Sequence, residues 1–360
     1  MISSRRLTQY IHEEANEMLK TRIFPVLRND KITNTIRYDD LLIKFGNKLS
    51  EKYSLSHQHD MVRSHLRLLG RFKLAFINLC PKVELFKEIY KPQLYNDCVK
   101  ALREVSGWDN NMMWFKSPAV AQSLTSLIKK CGYKQRTEYI KTQEDGPKKD
   151  LEDFLLLWEE ETPTLINKKA LEDQSNYKRS KKTILPPKED INKLYNFLKS
   201  KISTAIKVLE KEFVLESWKE LMKATLIYLQ IFNRRRAGDL ERITEDNYDN
   251  QENITDNMDS EQVENMSKES LEFAKQYRRI TTRGKLNRTV TVLLSPLSEL
   301  AIDLIIKHKK AAGIPESNKY IFCRTGSSKL SKQYIRACPL LRQFSMECGA
   351  AFPESLRGTT

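Results

Sequence analysis

Residues 276 to 294, QYRRITTRGKLNRTVTVLL, alternate β-branched and polar side chains on both sides of a polar RGKLN tip, in a chain whose apolar spacing is otherwise mostly helical. Alternation sends successive side chains to opposite faces of a strand, so this stretch predicts a β-hairpin. A hairpin set among helices narrows the fold: the chain reads as mainly α, with a C-terminal half of helices and a small sheet. NKYIFCR, residues 318 to 324, reads as a further short strand.

Helix signals lie on either side. From Asp60 onward, Val62, Leu66, Leu69, Phe76 and Leu79 recur on one face. Arg63, Arg67 and Arg71 line another face, open to two readings: a stripe that tracks phosphates, or a solvated surface. Further helices are expected at 94 to 106, at 117 to 131 with Ser117 as cap and Pro118 in the first turn, and at 149 to 160 around LEDFLLLWEE. Trp108 and Trp114 flank a turn at DNN and read as core anchors rather than base-stacking platforms. Ser295 and Pro296 look like the N-cap and first residue of a helix carrying Leu297, Leu300, Ala301, Leu304 and Ile305, closed by Gly313. A last helix near 331 to 348 should end at Gly349.

At 360 residues the chain forms two domains more readily than one. The stretch 172 to 190, EDQSNYKRSKKTILPPKED, is polar, basic and closed by Pro186 and Pro187, a linker signature. The expected partition is a helical extension over 1–59, a helical domain over 60–171, the linker, and a mixed domain over 191–360. Residues 245 to 270 are rich in Asp, Glu and Asn and read as an exposed, flexible acidic insertion held away from DNA.

A net charge of +15 points to a polyanionic partner, nucleic acid first. Lys178, Arg179, Lys181 and Lys182 form a basic cluster suited to a phosphate backbone or to nuclear localisation. No apolar run approaches the ~18 residues of a membrane span, and the N-terminus lacks the apolar region of a signal peptide, so a reducing compartment and no membrane are expected. The six cysteines form no CxxC pair and read as free thiols, and HQHD at 57 to 60 reads as a polar helix start rather than a metal site.

The stretch IYLQIFNRRRAGDLERI, residues 227 to 243, runs an apolar helix into Arg234, Arg235 and Arg236. Asn233 interrupts the apolar run, which puts the arginines in a turn at a helix end, with at least one expected against the core. Asp239, three residues after Arg236, is placed to orient it by a charge-assisted hydrogen bond. A fixed guanidinium suits phosphoryl chemistry because its planar fork binds two phosphate oxygens; an isolated RxxD is more often an ordinary surface salt bridge.

The order of these segments resembles the tyrosine recombinase and phage integrase family, and FPESLRGTT is similar to recombinases of eukaryotic mobile elements. RRRAGDL looks like the family's RxxE-Leu box, with aspartate for glutamate and Arg234 at a position usually glycine. TTRGKLNRTVTVLL looks like its catalytic hairpin, and GIPESNKYIFCR resembles the strand before its second arginine box. The resemblance implies a core-binding-like helical domain and an integrase-like catalytic domain clamped around double-stranded DNA, a tetramer on that DNA, and no cofactor. It makes Arg236 the first catalytic arginine, Asp239 its acidic partner and Lys285 the hairpin lysine, with Arg283 as the other register. Arg234, Arg283 and Arg288 join the DNA contacts. In the family a tyrosine attacks the scissile phosphate, but the second arginine box and the late tyrosine are not found by the end at LRGTT. The expectation is therefore a chain incomplete at its C-terminus, nuclear or otherwise intracellular, that binds DNA without cleaving it. The alternative is a non-catalytic basic helical scaffold that binds chromatin or proteins. A helical RNA-binding protein is disfavoured by the lack of an RNP-like motif or a GxxG in basic context.

Overall fold

The computed structural model describes residues 11–181, 185–254, 267–326 and 333–356. The chain divides into two compact units, Met1–Lys182 and Thr183–Thr360. Described elements are mainly helical, with small antiparallel sheets, and among them no helix is long and apolar enough to cross a membrane.

In the N-terminal unit, α1 (Lys31–Arg37), α2 (Asp40–Lys52), α4 (Tyr95–Val105) and α5 (Pro118–Thr142) pack around α3 (His59–Leu79). The apolar face of α3 is buried as its spacing requires, from Val62 through Phe76, while Leu79 in the last turn is exposed. Leu19, Ile23, Ile36 and Leu42 share this core, so the expected break between 1–59 and 60–171 is not a break in packing. α6 (Asp145–Thr162) packs on α5 and buries Phe154 and Trp158, and α5 runs a full eleven residues beyond its expected end at 131.

Strands β1 (Trp108–Asp109) and β2 (Trp114–Phe115) form a short ribbon in which the Trp108 ring meets the buried Phe115 at 4.7 Å. α7 (Lys169–Ser180) occupies much of the expected linker. Its composition is polar, but Asp173 is buried and accepts the Phe115 N–H at 2.8 Å, and Tyr177 lies against Trp114 at 5.3 Å. Tertiary contacts therefore hold as a helix a segment that composition alone marks as linker.

Asp30 caps α1, accepting the Thr33 N–H at 2.9 Å while Arg67 grips both carboxylate oxygens at 2.7 and 3.1 Å. The hydrogen bond from Arg67 and those from Thr33 bring its carboxyl down from the ordinary 3.8 to about 2. A carboxyl lowered by folding contributes stability above its unfolded value and loses it as pH falls through its folded value. We therefore expect melting temperature to decline between about pH 4 and pH 2, and Asp30→Asn to flatten that part of the profile. An unchanged acid limb in the variant would refute this assignment.

In the C-terminal unit, α8 (Lys188–Leu209) lies along α9 (Leu215–Asn233). Glu245–Asp249 (α11) is started by a capping box between Thr244 and Asn247, and Tyr248 is buried. The stretch expected as a flexible insertion is thus folded at this flank, and residues 255 to 266 lie outside the described residues. β3 (Glu252–Asn253), α12 (Lys268–Lys275) and the hairpin strands β4 (Arg278–Arg283) and β5 (Thr289–Leu294) follow, in sheet order β3-β4-β5. The register pairs Arg278 with Leu294 and Arg283 with Thr289, and it buries Ile280, Val292 and Leu294 on one face.

Ser295 caps α13 (Pro296–Lys307) by accepting the Ser298 N–H, as its sequence predicts. α13 and α14 (Ala337–Glu347) pack on α9, where the Trp218 indole donates to the Ile305 carbonyl at 3.0 Å. NKYIFCR is not a strand. It pairs through the isolated bridges Thr244 to Tyr320 and Cys323 to Tyr334 and a few backbone hydrogen bonds, Ile321 N–H to the Ile243 carbonyl and Ile335 N–H to the Phe322 carbonyl among them, rather than through a continuous ladder.

Candidate functional site

The arginine turn is built by ending one helix and starting another. α9 stops at Asn233, and Arg234 closes it in the left-handed region at φ 49°, a conformation that costs about 1 kcal/mol or more for a side chain with a Cβ. Arg236 is extended at φ −65°, ψ 141° and starts α10 (Ala237–Leu240). Beyond it Leu240 and Ile243 are fully buried, so the turn is anchored on both sides.

Two side chains tie the turn to the hairpin. Asn233 accepts the Leu293 N–H at 2.7 Å and donates to the Leu293 carbonyl at 3.0 Å, taking the place of a strand partner on β5. Asp239, buried to 5% exposure, has Oδ1 3.6 Å from where a Cβ on Gly284 would stand. Gly284 begins the hairpin tip, and a Cβ there would lie 2.4 Å from Cγ2 of Val290, so the tight approach excludes a larger residue. Its N–H donates to the Arg288 carbonyl at 2.7 Å, closing a tip whose Lys285–Asn287 turn ends with Asn287 at φ 62°.

The structure therefore brings Asp239 next to Gly284, which lies between Arg283 and Lys285 at the hairpin tip, and ties Asn233, beside Arg234, to Leu293 near the other end of β5. Arg234, Arg235, Arg236, Arg283, Lys285 and Arg288 are all exposed, and none of these six has an ion pair among the described residues. No arginine of the turn is held against the core, contrary to expectation. The expected side-chain pairing of Arg236 with Asp239 is also absent among the described residues. Their contact is the Asp239 N–H on the Arg236 carbonyl at 2.9 Å, because the extended backbone at Arg236 sends its side chain outward while Asp239 turns inward.

Arg63, Arg67 and Arg71 belong to the N-terminal unit and are differently disposed. Arg63 bonds Asp60 at 2.5 Å and the Arg22 carbonyl, Arg67 holds Asp30 and Thr33, and Arg71 donates to the Val105 carbonyl at 3.1 Å. Lys178, Arg179 and Lys181 are exposed at the end of α7, and Lys182 lies outside the described residues.

Two residues near the turn escaped sequence reasoning. Glu241 is buried, accepts the Ala337 N–H at 2.7 Å and pairs with Arg336 at 3.1 Å, so it ties the start of α14 to the arginine turn. Arg336 is half exposed there and adds positive charge. Their only signal in the sequence was a glutamate inside an apolar flank.

Among the described residues no group of three or more His, Cys, Asp or Glu converges as a metal site requires, and all six cysteines are free. His59 Nε2 of the HQHD stretch lies 3.2 Å from the Ser54 carbonyl. No family model, curated protein or solved structure matches this chain.

Proposed function

We propose that the C-terminal unit binds duplex DNA through the arginine turn and the hairpin tip, as a protein of the tyrosine recombinase type. The observation that carries this reading is the contrast in how cations are used. Arg63, Arg67 and Arg71 each donate to a partner within the fold, Arg71 while itself exposed, whereas Arg234, Arg235, Arg236, Arg283, Lys285 and Arg288 stand exposed without ion pairs among the described residues. Exposed cations left unpaired favour a polyanion, because each phosphate they neutralise releases condensed counterions.

Within this proposal Arg236 holds the non-bridging oxygens of a phosphate, and Lys285 at the hairpin tip stands where a general acid serves a leaving 5′-oxygen. Asp239 is a positioning residue: its buried carboxylate beside Gly284 favours a hairpin that keeps its cations close. The resemblance described above supplies these roles, and no residue of this chain is assigned as nucleophile.

The test is the salt dependence of binding to a duplex of mixed sequence. Log affinity should fall linearly with log salt, with a slope of about −0.9 for each phosphate contact, and change little with sequence. A flat response would refute the proposal. The internal bonds of Arg63, Arg67 and Arg71 speak against a phosphate-tracking stripe on the N-terminal unit.

A further inference from the structure

One unexplained feature of the C-terminal unit is an amide with no partner. Gln230 on α9 is 1% exposed, its Oε1 is buried without a hydrogen bond, and its side chain makes none with any described residue. Nearly all buried polar groups in folded proteins are satisfied. Leu229 and Ile231 beside it show that this helix takes aliphatic residues readily, so an unpaired amide here is retained against stability.

Gln230 lines a groove of about 560 Å³ between α8 and the end of α9, within the size range of small-ligand sites. Pro186, Tyr195 and Phe232 supply much of its apolar wall, Asn192 a second amide and Arg234 the positive charge. Gln230 and Arg234 are one helical turn apart. Arg234 is exposed, has no ion pair among the described residues, and keeps a left-handed backbone that glycine would adopt without strain.

We infer that this groove binds an adenine nucleotide, with the base edge on Gln230, the ring against Tyr195, and the phosphate on Arg234. The chemistry is specific. A glutamine amide offers an acceptor beside a donor, which matches the N6 donor and N7 acceptor of adenine; aromatic walls stack on a base; and a guanidinium fork fits a phosphate. The ligand has two sources, a free nucleotide or an adenosine unstacked from a strand held at the neighbouring arginine turn. Only the second rests on the duplex-binding proposal.

The test is calorimetric titration of the whole chain with AMP, adenosine, ribose 5-phosphate and IMP, together with binding to a duplex carrying one unpaired adenosine and to its abasic counterpart. A bidentate base contact predicts discrimination of about ten- to hundredfold. For a free nucleotide, AMP should exceed both IMP and ribose 5-phosphate by that factor. For a strand-borne base, the unpaired adenosine should exceed the abasic duplex by a similar factor, whether or not AMP binds. In either case Gln230→Leu should abolish the preference while melting temperature holds or rises, and Arg234→Gly should weaken AMP toward the affinity of adenosine while also keeping the fold.

No preference in either arm overturns the inference, as does a Gln230→Leu variant that melts at lower temperature, since the amide would then be satisfied within the fold. If AMP binds with the expected selectivity and no duplex binds at all, the groove stands and the duplex proposal falls.

Discussion

Changing Arg236, Lys285 and Arg288 together to alanine should lower duplex affinity by on the order of a hundredfold near 0.1 M salt, at about 1 kcal/mol for each cation held against a polyanion. The salt slope should shrink by about 3, one unit for each phosphate contact removed. Stability should hardly move, because all three side chains are exposed and free of ion pairs among the described residues, and such surface changes usually stay within about 0.5 kcal/mol. Filter binding or fluorescence anisotropy at several salt concentrations, with a melting curve for each variant, separates the outcomes. An unchanged slope would remove the turn and the tip from the interface, whatever the rest of the chain binds.

The second large effect lies in the N-terminal unit. Asp39, 1% exposed, accepts the Leu42 N–H at 2.9 Å, the Phe86 N–H at 2.7 Å and the Lys73 ammonium at 2.7 Å. It caps α2, closes the 86–89 turn and neutralises a lysine that is itself only 8% exposed. Asp39→Ala removes all three and leaves Lys73 as a buried charge without its partner, a lesion that costs about 3–5 kcal/mol. Chemical denaturation of the variant should show it. Asp39→Asn keeps the acceptor but not the charge and should fall between the two. A loss below about 1 kcal/mol in the alanine variant would mean that Lys73 reaches solvent easily, so that burial of the pair matters little.

What could be read from the chain beforehand follows the range of each interaction. The hairpin over 276 to 294 was legible because alternation and a polar tip are local, and so was the Ser295 and Pro296 start of its following helix. The arginine face of α3 could not be resolved locally, since Arg67 is settled by Asp30, thirty-seven residues away, and Arg71 by the Val105 carbonyl. The 172 to 190 stretch misled for a related reason: Asp173 and Tyr177 are polar or amphipathic in composition yet are recruited by Phe115 and Trp114. Spacing alone placed Asp239 within reach of Arg236, but not the backbone geometry that turns one outward and the other toward Gly284. Gln230 stood in plain view as the lone amide in LIYLQIF, and only burial without a partner gives it meaning.

The bond from Asn233 to Leu293 has a consequence beyond the arginine turn. β5 is the last strand of its sheet, and such a strand can recruit a strand from another molecule. The Asn233 amide fills both the N–H and the carbonyl of Leu293, a residue 37% exposed, so a docking chain meets a position already occupied near the end of the strand. The same side chain that ties the arginine turn to the hairpin therefore also guards against self-association, and Asn233→Ala should reveal that second role as concentration-dependent aggregation rather than as a change in fold.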